Sequence, residues 1–179
     1  MAPLLKLSAA IDWMNHQFGR LAAWAVLAAA LISAFNVIRR YAFNLSSNAW
    51  LEVQWYMFAV MVLLGAAYTL NKNEHVRVDL LYSNVSDRGR LWIDVFGIIF
   101  FLFPSIGILT YETWPIFWDS YVSGETSGNA GGLIRWPVKL LLPLGFGLVF
   151  LQGVSELIKR VGALRQVIEF DASYEKPLQ

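Results

Sequence analysis

The run WLEVQWYMFAVMVLLGAAYTL, residues 50–70, carries a single charge, Glu52 near its start, and the next charged residue is Lys72 just past its end. At about 1.5 Å of rise per residue, such a run crosses the roughly 30 Å hydrocarbon core of a bilayer as one helix. Working outward, three more runs have the same character. Residues 21–38 are bounded by Arg20 and by Arg39-Arg40. Residues 91–111 carry Asp94 close to the entry, and residues 136–158 have Lys139 one turn in, with Glu156, Lys159 and Arg160 at the exit. The alternative, four buried helices of a soluble protein, lacks a long amphipathic helix to cover them.

Composition agrees. The 179 residues are 57% hydrophobic and 15% charged, against roughly 25% charged in soluble domains. A net charge of +1 points to neither nucleic acid nor an acidic soluble partner. With no cysteine, disulfides, thiolate metal sites and cysteine nucleophiles are absent. A cleaved signal peptide explains the first apolar run poorly, because further apolar runs follow it rather than a soluble body. The expected fold is therefore an all-α integral membrane protein, one membrane domain over 1–179, with four transmembrane helices.

The segments between are informative. Leu4, Leu7, Ile11, Met14 and Phe18 recur at steps of three and four, the stripe of an amphipathic helix lying on a membrane surface or against a partner. Residues 72–90 mix charges with Val76, Val78, Leu80, Leu81 and Val85, which predicts a short interfacial helix. The connection 112–135 opens with Trp114, Phe117, Trp118 and Tyr121. It closes in the small, polar run Ser123–Gly132, which reads as a flexible surface loop. A polar tail follows from about residue 166.

Lysine and arginine in the short loops set the orientation. One side holds Lys6, Arg20, Lys72, Arg77, Arg88, Arg90, Lys159, Arg160, Arg165 and Lys176; the other holds Arg39, Arg40, Arg135 and Lys139. Both termini and the 72–90 loop are thus expected in the cytoplasm, with Arg39-Arg40 an outer exception that calls for a local reason. Tyr41, Trp50, Trp92, Tyr111, Trp114 and Trp136 fall at span ends, where an aromatic belt is expected beside membrane lipids.

Two polar constellations stand out. The short connection between the first two spans brings Arg40 near Glu52, with Arg39, Trp50 and Gln54 beside them. A cation at one helix C-terminus and an anion at the next N-terminus suit the two macrodipoles. This predicts an Arg40–Glu52 charge pair, either pinning the hairpin or facing another subunit. The second is Glu74-His75-Val76-Arg77-Val78-Asp79, where His75 and Asp79 share a face if helical; an ordinary solvated turn with an interfacial helix explains it better than proton handling or partner docking does. Arg135 and Trp136 open the fourth span.

A haem-carrying membrane anchor of a redox enzyme is the alternative class. Bis-histidine ligation needs two histidines on facing helices. His16 and His75 both fall outside the spans, so no haem, metal or other cofactor is expected. No catalytic motif is present either. The middles of the spans hold almost no ionisable residues, whereas transport sites need convergent polar groups near the midplane. Pro104 and Pro143 can kink the third and fourth spans without making such a site. The pattern is that of an accessory membrane subunit rather than a complete transporter or a channel.

The order of Arg40-Tyr41-Ala42-Phe43, Trp50-Leu51-Glu52, Leu64-Gly65-Ala66-Ala67-Tyr68 and His75-Val76-Arg77-Val78-Asp79 resembles the small membrane subunit (DctQ-like small permease) of tripartite ATP-independent periplasmic (TRAP) transporters. The runs 131–139 and 143–146, with Leu151-Gln152-Gly153 beyond, match a subgroup. The resemblance implies a bacterial inner-membrane system that imports organic acids or related solutes on a sodium gradient. Its partners would be a large membrane subunit and a periplasmic solute-binding protein, with no enzymatic role. Arg40, Trp50, Glu52, His75 and Asp79 match family positions.

Overall fold

A computed structural model describes residues 1–45, 47–74 and 85–168. His75, Arg77, Asp79, most of the interfacial helix expected over 72–90 and nearly all of the polar tail lie outside the described residues. The elements are α1 (Ala2–Phe43), α2 (Asn48–Asn71), α3 (Asp87–Gly97), a π-helical turn (Ile98–Leu102), α4 (Phe103–Val122) and α5 (Trp136–Leu164). α3, the π turn and α4 run on as one rod, Asp87–Val122, so four helices are long and apolar enough to cross a membrane. Each expected span lies within one of these four.

Local chemistry sets the ends. α1 stops at Asn44, whose left-handed φ of 54° lets its N–H bond back to the Arg39 carbonyl. Ser86 caps α3 by accepting from the Gly89 N–H, and Asp87 sits favourably in the first turn. Pro137 occupies the first turn of α5, where its missing N–H is harmless. The π turn has a cause as well. Pro104 cannot donate into the ladder, and just before it the Phe103 N–H reaches back to the Ile98 carbonyl.

α5 is the hub: it touches α1, α2, α3, the π turn and α4, and its apolar window is the most buried of the four. Leu64 and Ala67 of α2 pack on Leu148 and Val149 of α5, with Phe18 and Ile106 around them. Glycine permits the closest approach. A Cβ on Gly145 would lie 2.7 Å from the Leu63 carbonyl oxygen, so only glycine lets these two backbones meet.

One expectation is revised here. The N-terminal amphipathic helix is present, but it is not a separate element; it continues unbroken into the first span as a rod about 63 Å long at 1.5 Å per residue. Its buried stripe is Ser8, Ile11, Asn15, Ala22, Ala25 and Ala29. Leu4 and Leu7 stay exposed. Ser8 and Asn15 turn inward because α5 offers them polar partners, which a stripe drawn through apolar residues alone does not detect.

Candidate functional site

Two polar centres lie at opposite ends of the bundle. At the loop end, Glu52 is in the first turns of α2 and nearly buried. Its carboxylate accepts from the Ser127 hydroxyl, from Asn129 Nδ2 at 2.8 Å and from the Leu133 backbone N–H at 2.8 Å. Two further bonds tie α2 to the same loop: Tyr56 Oη donates to the Ile134 carbonyl at 3.0 Å, and Asn48 Nδ2 to the Ala130 carbonyl at 3.3 Å. The loop is also closed on itself. Thr126 and Ile134 form an antiparallel bridge, with Ser127 N–H on the Leu133 carbonyl at 2.9 Å and Arg135 N–H on the Glu125 carbonyl at 2.9 Å. Gly131 supplies a positive φ of 70° at its tip. Glu125 bridges Lys139 and Arg135, the latter at 3.2 Å. The hydrogen bond from Lys139, first of all, holds the Glu125 carboxyl below its ordinary range.

Two expectations change at this end. The glycine-rich run is not a free surface loop but a folded cap seated on Glu52. The Arg40–Glu52 pair does not form within the chain. The carboxylate is filled by neutral donors from the loop, while Arg40 is exposed, with no ion pair among the described residues. The neighbouring Arg39 guanidinium lies over the Phe35 ring at 5.9 Å, and Trp50 meets the same ring edge-on at 5.6 Å. Gln54 is half-buried without a hydrogen bond among the described residues. Trp136 packs edge-on against Tyr121 at 5.5 Å. Of the expected site residues, the structure therefore gathers Glu52, Arg135 and Trp136 around one loop, leaves Arg39 and Arg40 on the tip of α1, and does not describe the His75–Asp79 group.

The other centre lies where the first turns of α1 meet the end of α5. Asn15 Nδ2 donates to Gln152 Oε1 at 2.7 Å, and Gln152 Nε2 donates to Asp12 at 2.8 Å and to Glu156 at 3.0 Å. Ser155 Oγ donates to Asp12 at 2.6 Å and shares a 2.7 Å bond with Ser8 Oγ. Lys159 pairs with Asp12 at 3.2 Å and with Glu156. Arg160 bridges Glu156 and Asp94, its Nε being 2.6 Å from Asp94. Gln152, Asn15 and Ser155 are fully buried, and Glu156 and Arg160 are each 4% exposed. The charges at the span exit are legible in the sequence but the network is not, since its links from α5 to Ser8, Asp12 and Asn15 cross 137 to 147 residues and its link to Asp94 crosses 66.

One centre ties a loop to α2 and the other ties α1 and α3 to α5; among the described residues there is no group of three or more His, Cys, Asp or Glu placed to hold a metal ion. What they define is a multi-pass membrane protein of four long helices braced at both ends. Comparison makes the assignment narrower. The sequence model of the family described as tripartite ATP-independent periplasmic transporters, DctQ component, matches residues 29–163; the chain belongs to this family of transporter components. A Haemophilus influenzae protein provisionally named a TRAP transporter small permease protein is 34% identical over 67 residues, which cover 37% of this chain. The chain spans 42% of that relative's length. No solved structure matches the chain.

Proposed function

We propose that this chain is the small, stationary subunit of a sodium-driven transporter that imports an organic acid or related solute. It sits in a bacterial inner membrane with both termini in the cytoplasm, beside a large membrane subunit that carries the solute. The family supports the transporter class, and the lysine and arginine bias supports the orientation. The observation that carries the scaffold role is the seating of loop 123–135 on Glu52, which gives the outer end a fixed surface on which a solute-binding protein can rest. Clamping at both ends suits a part that holds still while another moves against it, and the polar groups that converge on Gln152 and Glu156 lie toward one end of the spans and pair with one another.

Reconstitution tests this. Alone in liposomes with an imposed sodium gradient, the small subunit should neither bind nor move solute. With the large subunit and the binding protein, uptake should appear and depend on sodium. Uptake by the small subunit alone, or undiminished uptake without it, overturns the proposal.

A further inference from the structure

α2 and the rod Asp87–Val122 both pack on α5, yet among the described residues they do not touch each other. A groove of about 550 Å³ remains between them, with α5 forming part of its floor. Its lining changes along its length. At one end stand Asp94, Glu156 and Arg160, paired with one another. Further in, Leu70, Ile98, Leu102 and Ile106 line it, with Ser105 the one polar side chain of that stretch.

Depth orders these groups. Asp94 lies three residues inside the third expected span, and Arg160 two residues past the end of the fourth, so the polar end is at the membrane edge. Ile106 is 12 residues further along the rod, about 18 Å, and the hydrocarbon of one leaflet is about 15 Å deep. The groove thus runs from headgroup level to about the middle of the bilayer. Its volume decides what can enter. A helix 10 Å across and 18 Å long occupies roughly 1,400 Å³, more than twice the groove, whereas an extended hydrocarbon chain is far thinner. Water finds no partners along the apolar stretch, and an empty slot forfeits dispersion contacts on every wall. Gly97 keeps the slot open. It lines the groove, and a Cβ there would meet nothing within 4 Å among the described residues. Close packing therefore does not call for this glycine, which weakens a helix interior relative to alanine. The π turn Ile98–Leu102 lines the same stretch, and such turns recur at functional sites.

We infer that the groove is a phospholipid site: one acyl chain lies along Gly97, Ile98, Leu102 and Ile106, and the phosphate meets Arg90. Arg90 stands one turn before Asp94 on the same stripe of α3. Its side chain is 16% exposed, and it pairs at 3.0 Å with Asp87, which is 74% exposed. So open a pair is weak and can share the planar guanidinium with a phosphate. Arg160 holds Asp94 and Glu156 where the chain enters, so no bare carboxylate faces the phosphate. Such a site needs only that the chain cross a membrane, whatever complex it joins.

The test uses the full chain, purified in mild detergent with any subunit it retains. It is incubated with palmitoyl-oleoyl phosphatidylglycerol or phosphatidylethanolamine and then washed. Native mass spectrometry should show one phospholipid held per chain with either headgroup, since phosphate and acyl chain are common to both. Gly97→Phe fills the slot and should lower the retained fraction by roughly tenfold or more, the loss expected from displacing about two methylenes. Its unfolding midpoint without added lipid should not fall. Arg90→Gln should lower retention by roughly twofold to fivefold, as for one partly exposed charge. In the washed complex of the unaltered chain, a phospholipid with a mid-chain diazirine should label residues 98–106 and spare the exposed Trp24 and Trp55. No phospholipid surviving the wash, equal retention by a folded Gly97→Phe, or labels spread evenly over the exposed apolar faces overturns the site. Labels confined to another subunit overturn it too. Diacylglycerol held as well as phospholipid overturns the phosphate contact at Arg90.

Discussion

Glu52 and Glu156 are both glutamates buried near the ends of membrane-crossing helices, and they are satisfied in opposite ways. Glu52 is held by a hydroxyl, an amide and a backbone N–H from a loop more than seventy residues away. Glu156 is held by Lys159, Arg160 and Gln152 from its own helix, and that cluster reaches across to Asp12 and Asp94. Neutral donors around Glu52 form no ion pair with it but fix a loop's position. The ionic cluster compensates charge and fixes helices against each other. Hence the same residue type orders a surface at one end and the bundle at the other, and removing each should fail differently.

The largest effect is expected at the ionic end. Arg160→Ala leaves Asp94 and Glu156 facing each other with little solvent, and breaking such a buried pair costs about 3–5 kcal/mol. Thermal unfolding in detergent should show a clearly lowered midpoint. Arg160→Lys should recover only part of it, because a compact ammonium does not reproduce the planar guanidinium, whose separate Nε and Nη1 meet Asp94 and Glu156. An unchanged midpoint for Arg160→Ala would show that the two ends do not differ in kind.

Glu52→Ala probes the neutral end. It strands the donors of Ser127, Asn129 and Leu133, though water can reach them once the loop lifts. Protection of the Leu133 and Ser127 amides from hydrogen exchange should fall about tenfold, while the midpoint of bundle unfolding barely moves. Arg40→Ala should change neither. Loss of loop protection in Arg40→Ala would restore the charge pair that the sequence suggests and remove the contrast between the two glutamates.

That pair shows where the sequence is legible and where it is not. The four spans are plain because their apolar runs match bilayer thickness, and tertiary context cannot override that. Glu52 stands out as a charge that needs a partner, which is correct. Its partners are invisible because two of them are a serine and an asparagine in a glycine-rich run and the third is backbone. Composition makes Ser123–Gly132 look like a free loop; a buried acceptor beneath it, together with the bonds the loop makes to itself, gives it a fixed shape. The helix-pairing network was partly readable. The stripe Ser8, Ile11, Asn15 continues at the same spacing through Ala22, Ala25 and Ala29, and following small residues rather than large ones would have found it. What lay beyond reach was Gln152, whose only signal was its place in the resemblance.

The smallest effect is expected from Glu125, which sharpens the contrast because it is an ionic clamp placed at the neutral end. Its folded pKa lies below the ordinary 4.5, first through its hydrogen bond from Lys139. A carboxyl with a depressed folded pKa contributes stability above its unfolded pKa and loses that contribution as pH falls through the folded value. The window is therefore acidic, below about 4.5, and the contribution is constant at neutral pH. The measurement is the difference in loop protection, corrected for intrinsic exchange, between the protein and its Glu125→Gln variant. That difference should be modest, roughly twofold to fivefold for a partly exposed ion pair. It should stay level from about pH 8 to pH 5 and shrink toward zero at lower pH. In a Lys139→Gln background it should be small at every pH, since the main cause of the shift is gone. A difference that grows on acidification would mean that the protonated form of Glu125, not the carboxylate, holds the cap in place.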